Sequence, residues 1–139
     1  MKLIPTLIVS IILCSVFSSC SKVVLNYGKP SPNSGDIIIK TSSSVNANLT
    51  VNDSLLVNQR YVKSITIKNV PEGLNAIHFS ADSRNLKNAM DNRLQVNVEK
   101  GKTNTQLLTV PPKSNGYWFY QTVSFVGLFA YLIWLENLQ

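Results

Sequence analysis

Between residues 35 and 110 the chain alternates hydrophobic and polar positions in short runs that turn residues separate. Alternation with a period of two is typical of strands that bury one face. Seven runs follow this pattern, at residues 37–39, 49–51, 55–57, 65–67, 77–81, 94–98 and 108–110. The spacing predicts a mainly β domain over residues 35–112, a small antiparallel β-sandwich of about seven strands.

Turn residues divide these runs. Asn52 and Asp53 separate the second run from the third, and Pro71 to Gly73 precede the fifth. Lys100, Gly101 and Lys102 follow the sixth run and predict a hairpin turn that returns as the seventh strand.

Residues 82–93 depart from the alternation. Leu86, Ala89 and Met90 have helical spacing among charged and amide residues, which fits a single helical turn or a long polar loop. As the longest irregular connection of the domain it is the candidate binding loop. Its charged residues are Asp82, Arg84, Lys87, Asp91 and Arg93. The alternative is a solvated crossover that packs its apolar groups on the core.

The segment 113–139 contains a mainly apolar run from residue 117 to residue 135 without a charged residue. As a helix this run would be about 28 Å long, close to the thickness of a bilayer hydrocarbon core, so it predicts a transmembrane helix. Aromatic residues at its two ends are the predicted interfacial anchors: Tyr117, Trp118, Tyr120, Tyr131 and Trp134. Because Gln121, Thr122 and Ser124 prefer water or a partner helix, docking on a partner protein is the alternative.

A second apolar segment opens the chain. Residues 1–19 contain the single cation Lys2, an apolar stretch over residues 3–17, and the small pair Ser18 and Ser19, which precede Cys20. The apolar stretch is short for a bilayer crossing, so it predicts a signal peptide. An ordinary secretory leader and a retained membrane helix are the alternatives.

This leader resembles a bacterial lipoprotein signal with its lipobox. The resemblance implies that the Cys20 thiol carries a diacylglyceryl group, that cleavage occurs before Cys20, and that the new amino terminus is acylated. Residues 20–34, which include Pro30, Pro32 and a glycine, would then form a flexible tether between the lipid and the domain.

The charged residues and the single histidine limit the classes of function that the chain can have. Thirteen Lys and Arg against seven Asp and Glu give a formal net charge of +6, but the cations stand singly along the sequence, without the run or stripe that would follow phosphates, which disfavours a nucleic-acid interface. They predict a solvated surface, with attraction to anionic lipid or acidic glycan as the alternative. The only histidine, His78, lies on a predicted strand without a second ligand or base nearby in sequence. We therefore expect no catalytic residue, no metal and no cofactor.

Several segments of the domain resemble the PEGA-type and carboxypeptidase-regulatory-like modules of bacterial envelope proteins. The similar residues are 35–39 in an opening strand, 47–53 in a strand that ends in a polar turn, 73–77 after a glycine, and Val96, Val98, Gly101 and Leu108 at the closing hairpin. The resemblance implies a sandwich with a binding or spacer role and without catalysis.

Together these features predict a non-enzymatic lipoprotein of the bacterial cell envelope, with its β domain outside the cytoplasm and its anchor in the outer or the inner membrane. Membrane lipid, through Cys20 and the carboxy-terminal helix, and an envelope protein are its expected partners. The predicted function is a structural or accessory subunit of a larger membrane assembly of the secretion, transport or barrel-insertion type. The alternative is a free-standing module that binds envelope glycan or a small ligand.

Overall fold

The computed structural model describes residues 21–137, which contain six strands and one long α-helix. The strands are β1 (Lys22–Asn26), β2 (Ser34–Val51), β3 (Ser54–Pro71), β4 (Gly73–Ala81), β5 (Met90–Val98) and β6 (Thr103–Leu108), and the helix is α1 (Asn115–Asn137). The mainly β class with a carboxy-terminal helix is confirmed. The predicted signal peptide and Cys20 lie outside the described residues.

A long antiparallel hairpin, β2 and β3, forms the centre of the sheet. Asn52 and Asp53 connect the two strands with positive φ angles of 45° and 65°, a combination typical of the tight turn that matches the strand twist. Each strand has 18 residues and joins two of the predicted short strands. Together with the unexpected β1, this merging gives six strands where the sequence predicted about seven.

The hairpin is irregular at its middle. Lys40 pairs with Ser64 while Val45 pairs with Val62, so β2 has extra residues here, and β3 has one extra residue between Val57 and Arg60. Such bulges bend strands and increase their twist.

Because of this bend, β2 has two different neighbours on its second edge. Its first half pairs with β6 in parallel, from Asp36 with Thr103 onward, and its second half pairs with β4, antiparallel, from Ala47 with Ala81 onward. The hydrogen bonds join all six strands into one sheet. Two pairs, β1 with β3 and β2 with β6, are parallel, which corrects the prediction of a purely antiparallel arrangement.

The hairpin folds over at its middle, so the bend lies at one end of the domain and the outer turns of the two halves lie at the other. The bend end comprises residues 21–22, 40–47, 60–64, 81–90 and 107–114. The far end comprises residues 26–36, 50–55, 68–76 and 97–104, where the turns of the two halves meet. Asn75, 3% exposed, joins the turns of the far end because its side chain bonds to Asn52 and to the Pro71 carbonyl.

One apolar core fills the inside of the bent sheet. Alternate residues of β2 are buried along its whole length, and Ile37, Leu49 and Phe79 are fully buried. Helix α1 contributes no residue to this core, and its membrane-length stretch is entirely unburied. The buried face is therefore covered by the sheet itself.

The connection from β5 to β6 differs from the predicted hairpin. β6 does not pair with β5 but crosses to β2, and the turn between them packs on Gly35. A Cβ atom at Gly35 would lie 2.5 Å from the Glu99 carbonyl oxygen and 2.7 Å from that of Lys102. Only glycine leaves room for this crossing.

Residues 22–26, predicted to belong to a flexible tether, form strand β1 and pair with residues 64–68 of β3. Val23 is 4% exposed and packs in the core, with Leu25 and Tyr27 beside it. Burial of these apolar side chains offsets the conformational entropy lost when the segment is ordered, although two prolines follow it. The spacer between Cys20 and the sheet is thus reduced to Ser21.

Substitutions at the neighbouring residues Val23 and Val24 test whether β1 is packed against the core. Val23→Ala removes buried methyl groups and is expected to lower the free energy of unfolding by about 1–2 kcal/mol. Val24 is 53% exposed, so Val24→Ala is expected to change it by less than about 0.5 kcal/mol. Urea unfolding of the detergent-solubilised chain gives both values, and equal small effects would mean that the segment is an unpacked tether.

Candidate functional site

The described chain begins at the bend end of the sheet. Ser21 accepts a hydrogen bond from the Lys63 backbone N–H at 3.0 Å, and its hydroxyl donates to the Tyr61 carbonyl. Ser21 follows Cys20 directly, so the predicted lipidation residue is connected to this end by one peptide unit.

Helix α1 begins at the same end. The Lys113 ammonium donates to the Ser44 carbonyl at 3.3 Å and lies 5.0 Å from the centre of the Tyr117 ring. Ser114 caps the helix, because its hydroxyl oxygen accepts the Tyr117 N–H at 3.2 Å. Ser44 and Lys63 lie on adjacent strands, so Ser21 and Lys113 both contact this end of the central hairpin.

The candidate binding loop holds the base of this helix. The Lys87 N–H donates to the Pro112 carbonyl at 2.8 Å, and the Ser114 N–H donates to the Asn85 carbonyl at 3.1 Å. Leu86 is 4% exposed and forms an isolated bridge with Lys113. The loop therefore fixes the segment from which the helix leaves the domain.

The five charged residues predicted for this loop do not form one cluster. Asp82 and Arg84 form an ion pair at 3.4 Å, and the Asp82 carboxylate also accepts the Arg84 backbone N–H at 3.0 Å. Lys87 is exposed on the same loop. Asp91 and Arg93 lie on strand β5 instead, where Asp91 contacts the His78 ring at 2.6 Å.

Helix α1 extends from the bend end with apolar side chains on all sides. Its stretch Asn115–Leu135 is long and apolar enough to cross a bilayer. The predicted anchor residues occupy its two ends, with Tyr117 and Trp118 in edge contact at 5.6 Å and Tyr131 and Trp134 at 6.1 Å. The Thr122 hydroxyl donates to the Trp118 carbonyl at 2.9 Å, which satisfies one of the polar groups that disfavoured a membrane position.

A small cleft lies between the loop and the bend, among Tyr61, Arg84, Asn85 and Lys113. Partial burial, together with the nearby Tyr117 phenol, raises the pKa of Tyr61. Partial burial lowers the pKa of Lys113. Both shifts disfavour the charged forms of groups that are partly withdrawn from solvent. The cleft lies at the base of the helix, with a phenol and an ammonium group among the side chains that line it.

Within residues 21–137 no three His, Cys, Asp or Glu side chains lie close enough to hold a metal ion. Sequence reasoning did not identify Ser21, Tyr61 and Lys113 as parts of one site. The spacing of Lys113 and Tyr117, four residues apart at a helix start, is the one local signal that points to it. Comparison with known proteins finds no family model, curated protein or solved structure that matches this chain.

Proposed function

We propose that the protein is a non-enzymatic lipoprotein of the bacterial cell envelope, anchored by Cys20 and by α1, that serves as a structural or accessory subunit of a larger membrane assembly. The observation that supports this proposal most is the helix, which has large apolar side chains on every side and, apart from the contact of Tyr117 with Lys113 at its start, has no buried residue along its membrane-length stretch. Twelve of its large apolar side chains are exposed: Trp118, Phe119, Tyr120, Val123, Phe125, Val126, Leu128, Phe129, Tyr131, Ile133, Trp134 and Leu135.

An exposed apolar surface of this extent is unfavourable in water and requires a bilayer or a protein to cover it. The 21 residues of the stretch span about 31 Å as a helix, which matches a hydrocarbon core of about 30 Å. The aromatic residues at the two ends then lie at the two interfaces. A bilayer therefore covers the helix on all sides, whereas a soluble partner would cover one side.

Two attachments have a physical advantage over one. A single acyl chain binds membranes only marginally. A helix in the same bilayer keeps the protein bound when the acyl chain dissociates from the membrane. An inner membrane accommodates both attachments directly. An outer membrane does so if partner proteins surround α1.

The middle of α1 indicates where a partner binds. Gln121 and Ser124 lie three residues apart and so project from one side of the helix. Viewed along the helix axis, Leu128 projects between them. Polar side chains inside a bilayer favour hydrogen bonds with a neighbouring helix. We assign the contact with the assembly to this side.

The alternative function, glycan or ligand binding, has weaker support. The open groove beside Asp53, His78 and Arg93 is lined mainly by polar and small side chains, and its lining contains no Trp, Tyr or Phe on which a sugar ring stacks.

Lipidation is tested at the two cysteines. When cells are labelled with palmitate, Cys20→Ala is expected to lose the label, because it removes the thiol that receives the diacylglyceryl group. Cys14→Ala is the matched control and keeps the label, since cleavage removes Cys14 with the leader. Equal labelling of Cys20→Ala and the unaltered chain would exclude the lipoprotein assignment.

Substitutions on two sides of α1 test the proposed contact with a partner protein. The double variant Gln121→Leu with Ser124→Ala is expected to reduce stoichiometric co-purification in mild detergent about threefold to thirtyfold, the range for lost hydrogen bonds between membrane helices. Val123→Leu, on the opposite side, is the control and should co-purify normally. A monodisperse monomer from the unaltered chain would contradict the subunit assignment.

A further inference from the structure

The fold gathers cations that stand singly along the sequence. Seven basic side chains lie at the bend end: Lys22, Lys40, Arg60, Lys63, Arg84, Lys87 and Lys113. One carboxylate within these ranges accompanies them, that of Asp82, which is paired with Arg84, and a second, that of Asp91, lines a groove with both at the edge of this end. Most of these cations are exposed, Arg84 to 83% of its side chain, while Lys113 is half-buried. The bend end is therefore strongly basic.

The far end is balanced by comparison. Four cations lie there with four carboxylates: Lys29, Lys68, Lys100 and Lys102 with Asp36, Asp53, Glu72 and Glu99. Between the two ends, Asp91 contacts His78, and Arg93 lies across from His78 on the neighbouring strand. The charge of the domain is thus asymmetric between its two ends, with the positive pole at the bend end.

The positive pole is also the end that carries both predicted membrane attachments. Ser21 leads to Cys20 on one side of it, and α1 leaves it at Asn115 on the other. If both are held in one bilayer, the residues between them have to face the lipid headgroups. Lys22, Lys63 and Lys87 are exposed at this end, and flexible side chains allow their ammonium groups to reach phosphates.

We propose that the bend end is a docking surface for anionic phospholipid headgroups, which holds the domain upright on the bilayer with its far end outward. This inference rests on the proposed double attachment. Each cation close to an anionic leaflet strengthens the association about fivefold. Seven cations at one end provide an orienting force that the balanced far end does not, and this force weakens as salt is added.

The test measures how fast individual lysines are acetylated when the protein is in vesicles. The full chain is reconstituted in zwitterionic vesicles, or in vesicles with about 30% phosphatidylglycerol, and exposed lysines are acetylated with a membrane-impermeant reagent. We expect the rates at Lys63 and Lys87 to fall about fivefold or more in the anionic vesicles at low salt and to recover at high salt. The rates at Lys68 and Lys100, at the far end, should not change.

Paired variants give a second comparison. Arg84→Gln with Lys87→Gln is expected to weaken the protection of Lys63, whereas Lys100→Gln with Lys102→Gln leaves it intact. Equal rates at the bend end in both kinds of vesicle would overturn the proposal and assign the basic surface to an acidic protein partner. Protection by inorganic phosphate in zwitterionic vesicles would overturn it as well, because the surface would then be a site for a free ion.

Flotation of the same vesicles at high salt separates this inference from the proposed anchor. A chain that floats with zwitterionic vesicles but shows no protection by anionic lipid retains its helix anchor and contradicts only the docking surface. A chain that does not float contradicts the anchor itself, and with it the docking that rests on that anchor.

Discussion

Alternate residues of β2 are buried along the whole strand, yet the helix packs nothing against them, so the apolar face of the sheet has to be covered by the sheet itself. A flat sheet cannot do this. The bulges between Lys40 and Val45 and between Val57 and Arg60 bend the central hairpin at its middle, and the two halves close around one core. The glycine at position 35 permits the remaining crossing, because the turn before β6 passes where a side chain would stand.

That bend also determines where the chain enters and leaves the domain. β1 starts beside the bend, and the loop after β4 and the segment before α1 meet there through backbone hydrogen bonds. Ser21, the residue next to Cys20 in sequence, therefore lies at the same end of the domain as the start of α1 and most of the positive charge. With β1 in the sheet, Ser21 alone separates Cys20 from the domain, so the proposed lipoprotein would hold its domain close to the bilayer surface and not at the end of a long spacer.

Local patterns predicted the mainly β class, the turns at Asn52 and Gly73, and the carboxy-terminal helix. They failed where structure depends on distant residues. Thr41 to Ser44 are polar and lie between two of the predicted strands, but one strand continues through them because β3 supplies partners on either side of the bulge. The parallel pairings of β1 and β6 leave no local mark on the sequence, and the single spacing of the cations gave no sign that folding would bring them together.

The central claim is that the domain stands on the membrane at its bend end. Spin labels attached through cysteines at position 85, in the loop at the bend end, and at position 100, in the turn at the far end, would test it in vesicles that contain a nickel-chelating lipid. Relaxation by the nickel headgroups falls steeply with distance, so the account predicts strong enhancement at position 85 and little at position 100. Equal enhancement at both positions, or the stronger effect at position 100, would contradict it.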